Sequence, residues 1–359
     1  MIFIRKTRFE THKIIPLIAL MLLVFNACRT DKNKNEIALS VAHKVLVLDS
    51  IEASKAIVKD DIEHFFDKIQ TVDVSIQTKK AYNTPTKREA AVFDYKKFIQ
   101  QDVEDFTQNE RIFLEKTMKE AFGLSDKISH KLFPNEIKLI KTKGNHYGDE
   151  TYYTRENSII IPKAALIKPN YDEFLRVILH EISHIYSRTN PSAKAKLYAA
   201  IGFKRIAQPL VIPDSLKRRL LTNPDGVDEN WATKLTLDGG KEAFALPLIY
   251  ANENTLNPSK TAFFQYLGWN YFEITPSVSG NNLVVQTIGA QQKSTLNTTG
   301  INQLFKDKFN TDYIIHPDEI IADNFAIALL STKNDKIMET LTADGKRLIV
   351  IIKEILSSE

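Results

Sequence analysis

From about Ala38 to Phe133 the apolar positions recur at helical spacing. Ile57, Ile62, Phe65, Phe66 and Ile69 fall on one side of one helix, and Phe98, Val103, Phe106, Phe113 and Met118 in later ones, all reading as helical core. The period then changes. Ile137-Lys138-Leu139-Ile140-Lys141 alternates, as does much of Thr151 to Ile161, and the turn residues of Gly144 to Asp149 between them predict a β-hairpin. Beyond Asn170 the helical period returns in Phe174, Ile178, Ile182 and Ile185, with Asn170 and Glu173 spaced as a capping box and Asn190-Pro191 as the stop. A loop-rich zone follows around Asn223-Pro224-Asp225-Gly226. A second β region comes next, in which Trp269 to Ile274 and Leu283 to Ile288 flank the turn Ser279-Gly280-Asn281-Asn282. Pro317 opens another helix, with Asp318 and Glu319 at its positive end and Ile320, Ile321, Ile327 and Leu330 on its apolar side. Ile337 to Leu356 reads as a last packing helix. The expected class is α+β, mostly helical with a small sheet: a helical region over 38–135, then a second region over 136–359 carrying a long insertion at about 190–310.

The helix after Asn170 also carries chemistry. His180-Glu181-Ile182-Ser183-His184 puts two imidazoles four positions apart, one turn from each other on a single face, with a carboxylate beside them. That is the pattern hydrolytic zinc requires. Neutral imidazoles hold Zn²⁺ without cancelling its charge, so the metal can acidify a water whose proton Glu181 takes. The three residues lie beside the apolar stripe, where the floor of a cleft belongs.

Two protein ligands leave a catalytic zinc site one short. A close-following third histidine is excluded, because Ser187 and Asn190 stand where the longer pattern needs Gly and His. Downstream, Glu319 and Asp323 share a face of the helix opened by Pro317. The spacing Glu-x-x-x-Asp after His-Glu-x-x-His resembles the gluzincin, or thermolysin-like, branch of the zincin metallopeptidases. The resemblance implies a zincin-like fold whose sheet precedes the active-site helix, with His180, His184 and Glu319 as zinc ligands and Glu181 as general base. It further implies that Asp323 orients a ligating histidine through the imidazole's second N–H. Glu242 is the rival third ligand, without a partner carboxylate four positions on. The resemblance covers two short segments, and 135 residues separate His184 from Glu319, far more than in thermolysin-like members. In such folds the sheet's edge strand pairs with extended substrate, which makes Tyr152 to Asn157, Tyr153 and Arg155 in particular, the expected substrate contacts, unless this is an ordinary sheet strand. Tyr313, His316, His146, Tyr147 and Tyr186 are the candidates for steadying an oxyanion.

The amino terminus speaks to location. Arg5, Lys6, Arg8 and Lys13 precede an apolar run from Ile14 to Phe25 that is too short to span a bilayer, and Asn26-Ala27-Cys28 follows. This reads as an export signal over residues 1–27. Cys28, the single cysteine, resembles the lipidation site of bacterial lipoproteins, and residues 28–37 read as a polar tether. A lone cysteine precludes an intrachain disulfide. The net charge is +4, of which the signal segment supplies all but +1, and no basic stripe with interleaved aromatics appears, so nucleic acid is not an expected partner. The sequence therefore describes a membrane-anchored envelope protein, on the periplasmic or surface face, that uses Zn²⁺ to hydrolyse peptides or proteins. The alternatives are an inert zincin-shaped binding module and a zinc hydrolase acting on another envelope substrate.

Overall fold

The computed structural model describes residues 35–82, 87–237 and 240–358; the export segment, Cys28 and most of the tether lie outside them. The fold mixes helices with two six-stranded sheets, so α+β holds, but the strand content exceeds the small sheet expected.

The first sheet has β1 (Glu36–Ala38), β2 (Lys44–Val47), β4 (Glu136–Thr142), β6 (Ser158–Pro162) and β5 (Tyr153–Arg155) in that spatial order, with β3 (Val103–Glu104) paired to the end of β4. β2, β4 and β6 are parallel. Their parallel pairing requires both faces to be covered, and β6 accordingly reads Ser-Ile-Ile-Ile-Pro and is buried at every position. The end of the expected tether and the start of the expected helical region are therefore the strands β1 and β2 of this sheet, so the region over 38–135 is not helical throughout. They are too short to show a period. The single helix expected across Ile57 to Ile69 is also broken. Asp60 takes the N–H groups of Phe65 and Phe66, His64 turns left-handed, and Ile62 is exposed.

The hairpin falls elsewhere than expected. β5 turns into β6 through Glu156-Asn157, whereas β4 joins β6 in parallel. The turn residues 144–149 belong instead to a loop running from β4 to β5. β5 is the sheet edge, and β6 follows it before the His180 helix, Tyr171–Thr189.

The second sheet is built from the long insertion, in the order β7 (Phe203–Arg205), β9 (Trp231–Thr236), β10 (Glu242–Ala251), β11 (Leu267–Pro276), β12 (Leu283–Val285) and β8 (Leu210–Val211). β11 and β12 form the expected antiparallel pair about the Ser279-Gly280 turn. The Glu319 helix, Pro317–Leu330, packs along the His180 helix, and a last helix over Ala343–Ser358 packs behind it. Phe174, Ile178, Ile182 and Ile185 join Ile320, Ile321, Phe325 and Leu329 in one core cluster with β4 and β6. Burying those stripes against each other fixes the relative rotation of the two helices, and with it the facing of their polar residues.

Candidate metal centre and cleft

Each helix is locally specified. Asn170 caps the first by accepting from the N–H groups of Asp172 and Glu173. Pro317 stands in the first turn of the second. With their apolar faces sealed, the facing polar residues converge. His180 Nε2 lies 3.2 Å from Glu319 Oε2, and His184 Nε2 lies 3.6 Å from the same oxygen. Ligands about 2.0–2.1 Å from a tetrahedral zinc stand roughly 3.3 Å apart, so this spacing suits one ion among three donors. Glu242 is excluded as the third ligand. It is exposed on β10 and pairs with Lys234 at 2.6 Å.

The orientation of each donor has a cause. Asp323 Oδ1 lies 3.1 Å from His180 Nδ1, which turns Nε2 toward Glu319 Oε2. Asp323 is held in turn by Arg176 at 2.8 Å and by the Thr311 hydroxyl at 2.5 Å. Asn223 donates to Glu319 Oε1 at 2.7 Å and turns Oε2 toward the imidazoles. His184 is 1 % exposed, and neither of its ring nitrogens has a hydrogen-bond partner. A buried imidazole left bare on both sides is costly, and a metal ligand role resolves it at Nε2.

The electrostatics of the two rings differ, and at His180 an ion would have to displace a proton. Burial, reinforced by the charge of His180, pushes His184 down to about 3 despite the opposing pull of Glu319, so the ring stays neutral and its lone pair available. Burial would also lower His180, but the bonds from Asp323 and Glu319 outweigh it and raise the ring well above its ordinary value. Burial, followed by the charge of Asp225, raises Glu181 well above the usual carboxylate range. Its Oε2 is buried without a partner.

Asp225 escaped sequence reading. It is buried, it takes both the N–H and the hydroxyl of Thr154 at 2.6 Å, and its carboxylate lies within 4.8 Å of those of Glu181 and of His184's ring nitrogen. Gly226 brings this loop in. A Cβ at that position would stand 2.3 Å from Asp318 Oδ2, so only glycine lets the chain approach the start of the Glu319 helix. The Asn-Pro-Asp-Gly cluster signalled a turn, yet nothing in it showed that Asn223 would reach Glu319 or that Asp225 would reach Glu181 and His184. Arg176 and Thr311 were missed for the same reason.

Three expectations are corrected. Tyr153 and Arg155 are not substrate contacts. In a strand the side chains alternate, and these two face away from the cleft. The Tyr153 hydroxyl meets His146 Nε2 at 2.9 Å, and the Arg155 guanidinium lies 3.8 Å over the Phe65 ring. Tyr152, of opposite parity, does line the cleft. On the outer side of β5 Asp225 occupies the Thr154 N–H, and Arg188 takes the Glu156 carbonyl in the turn that follows. His316 is not an oxyanion group. Its Nδ1 accepts from the Asp318 N–H at 3.2 Å as the helix cap, and its Nε2–H donates to the Asp228 carbonyl at 3.3 Å. His146, with Nδ1 against Asp102 at 2.6 Å, is equally committed.

A cleft of about 900 Å³ opens over the centre, bounded by the loop over 147–152, by His180 and Glu181, and by Tyr313 across from them. No family model, curated protein or solved structure matches this chain. The chemistry must be argued from the cleft itself. It lies over two histidine nitrogens and a carboxylate around one point, with an unpartnered carboxylate beside them.

Proposed function

We propose that this protein is a zinc-dependent metallopeptidase of zincin type, with His180, His184 and Glu319 as the ligands and Glu181 as the general base. One observation carries it: a buried imidazole, bare at both nitrogens, stands beside a second imidazole and a carboxylate at ligand spacing. Zn²⁺ held there would supply Lewis acidity toward water and toward a carbonyl oxygen. Asp323 and Asn223 hold the donors in place before substrate arrives. Glu181, whose proton affinity is raised by burial and by Asp225, takes a proton from water in the cleft and delivers it to the leaving amine.

Among the expected oxyanion candidates, Tyr313 both lines the cleft and is exposed, at 42 %. Tyr147 lines the cleft but is buried, and Tyr186 is packed in the core. Tyr313 is therefore assigned the hydroxyl donor. An open cleft of this size suits an extended peptide better than a small amide. The basic start, the apolar run and Ala27-Cys28 support export and lipid anchoring at the cell envelope.

The test is Glu181→Gln. Metal analysis should find zinc retained, and digestion of a broad peptide library should slow by about 10²–10⁴-fold. Full hydrolytic activity in that variant would sink the mechanism. A zinc-loaded wild type that cleaves nothing would make the protein a binding module instead.

A further inference from the structure

The cleft over the metal centre carries more negative charge than the centre uses. Seven carboxylates line it against two cations, Arg176 and Lys306. Both cations are already spent, since Arg176 lies 2.8 Å from Asp323 and Lys306 lies 3.6 Å from Asp312. Glu319 and Asp323 belong to the metal centre, and the two charges of a bound zinc would still leave the lining negative. The surplus sits on Asp149 and Glu150. Both are exposed on the loop over 147–152, which borders the same space as His180 and Glu181, and neither has an ion-pair partner among the described residues.

The rest of the cleft favours the same guest. Glu181 is 4 % exposed, and its unpartnered Oε2 adds a buried acceptor to the lining. Phe264 and Tyr313 line the cleft as well, and both rings are exposed. An aromatic face attracts a cation and a carboxylate pairs with one, so rings and unspent acids in one cleft suit a long basic side chain, its stem on a ring and its head at an acid. An acidic side chain would meet like charge in a concave space that focuses it. Size keeps the guest near the chemistry. A cleft of about 900 Å³ is roughly 10 Å across, about three extended residues, so a charge held inside lies within that reach of the bond that Glu181 serves.

We infer that Asp149 and Glu150 make this a cleft for cationic peptides, which it selects by a lysine or arginine within about three residues of the scissile bond. The selection rests on the peptidase reading for its turnover, whereas the preference in binding is measured without hydrolysis.

The experiment uses end-blocked alanine hexapeptides with lysine, arginine, glutamine or glutamate at one central position. Cleavage by the zinc-loaded wild type is followed by mass spectrometry, and binding to zinc-loaded Glu181→Gln by calorimetry. At low salt the lysine and arginine peptides should be cleaved with kcat/KM at least about 10-fold above the glutamate peptide, with glutamine between them. That ratio should shrink several-fold at about 0.5 M salt, where exposed charges are screened. Asp149→Asn combined with Glu150→Gln should bring the lysine-to-glutamate ratio to within about 3-fold of unity, and Asp149→Lys combined with Glu150→Lys should invert it. Both positions are exposed, so the double variants should melt with the wild type. A lysine peptide no better than the glutamate peptide, or a ratio unmoved in both double variants, overturns the cationic cleft and leaves the peptidase intact. If the wild type cuts nothing while Glu181→Gln binds the lysine peptide at least about 10-fold tighter than the glutamate peptide, the cleft stands as a binding site and the peptidase falls. Absence of both cleavage and charge-selective binding overturns both.

Discussion

His146 and His184 are both buried histidines within one molecule, 4 % and 1 % exposed, and they differ in everything else. His146 is saturated: Asp102 meets Nδ1, the Tyr153 hydroxyl meets Nε2, and the trio ties the end of the helix over Arg88–Gln101 to the loop that borders the cleft. His184 has no hydrogen-bond partner, yet it sits against a carboxylate and another imidazole. A buried polar group costs free energy unless it is paired, so the fold has met that cost at one histidine and left it open at the other. The difference separates a ring tied on both sides from a ring left unpaired on both, which burial alone does not.

The sharpest way to break the contrast is to truncate each ring. His184→Ala should abolish stoichiometric zinc binding and peptide hydrolysis together. It should also remove zinc-linked stabilisation, about 4 kcal/mol when free metal exceeds its dissociation constant a thousandfold. Elemental analysis and melting curves with and without chelator check it. Full zinc content in the variant would return His184 to the structural class.

A third buried group, Asp73, tests whether saturation always suffices. It accepts from Gln77 at 2.7 Å and from the Thr222 N–H at 3.0 Å, yet burial outweighs both bonds and raises it to about 7. The folded protein therefore prefers the protonated acid. Its stability contribution is complete below the unfolded value of 3.8 and is lost as the pH rises through about 7. The swing is at most about 4 kcal/mol at 1.36 kcal/mol per unit. Asp73→Asn should flatten the unfolding free energy across pH 4.5 to 8 relative to wild type, whatever its absolute offset. An unchanged slope would mean that Asp73 stays ionised in the fold. Because Thr222 precedes Asn223, the same substitution probes how firmly the metal-site loop is tied down.

His146→Ala comes next, at about 2–3 kcal/mol from leaving Asp102 and Tyr153 without the imidazole. Chemical denaturation should show the loss while zinc stoichiometry stays that of wild type. Loss of zinc in a folded His146→Ala protein would erase the distinction between the two rings.

How far the chain reveals this in advance depends on the range of each interaction. The His180 and Glu319 helices were legible because stripe, cap and stop are all local, and the facing of His180, His184 and Glu319 followed from spacing on those two helices. Asn223 and Asp225 were not, since their place depends on Gly226 packing against a helix about 90 residues further on. The parity of β5 was equally hidden. A shift of one position exchanges Tyr152 with Tyr153 between cleft and core, and only the pairing with β6 decides it. The strands at 36–47 are three and four residues long, too brief for a period to outweigh the helical run beyond them.

The smallest effect belongs to His316, which the sequence offered as a candidate for steadying an oxyanion and which is in fact the cap of the helix that carries Glu319. Both its nitrogens are committed, so His316→Ala should lose the cap, worth about 1 kcal/mol, and little else. For a domain of this size that is a drop in melting temperature of roughly 2–4 °C. Hydrolysis at 25 °C should stay within about two-fold of wild type, because Glu319 is also held by Asn223 and by the packing of Ile320 and Ile321. A hundredfold slower enzyme with an unchanged melting point would mean that the ring leaves its cap to meet the substrate, which the saturated pair of bonds argues against.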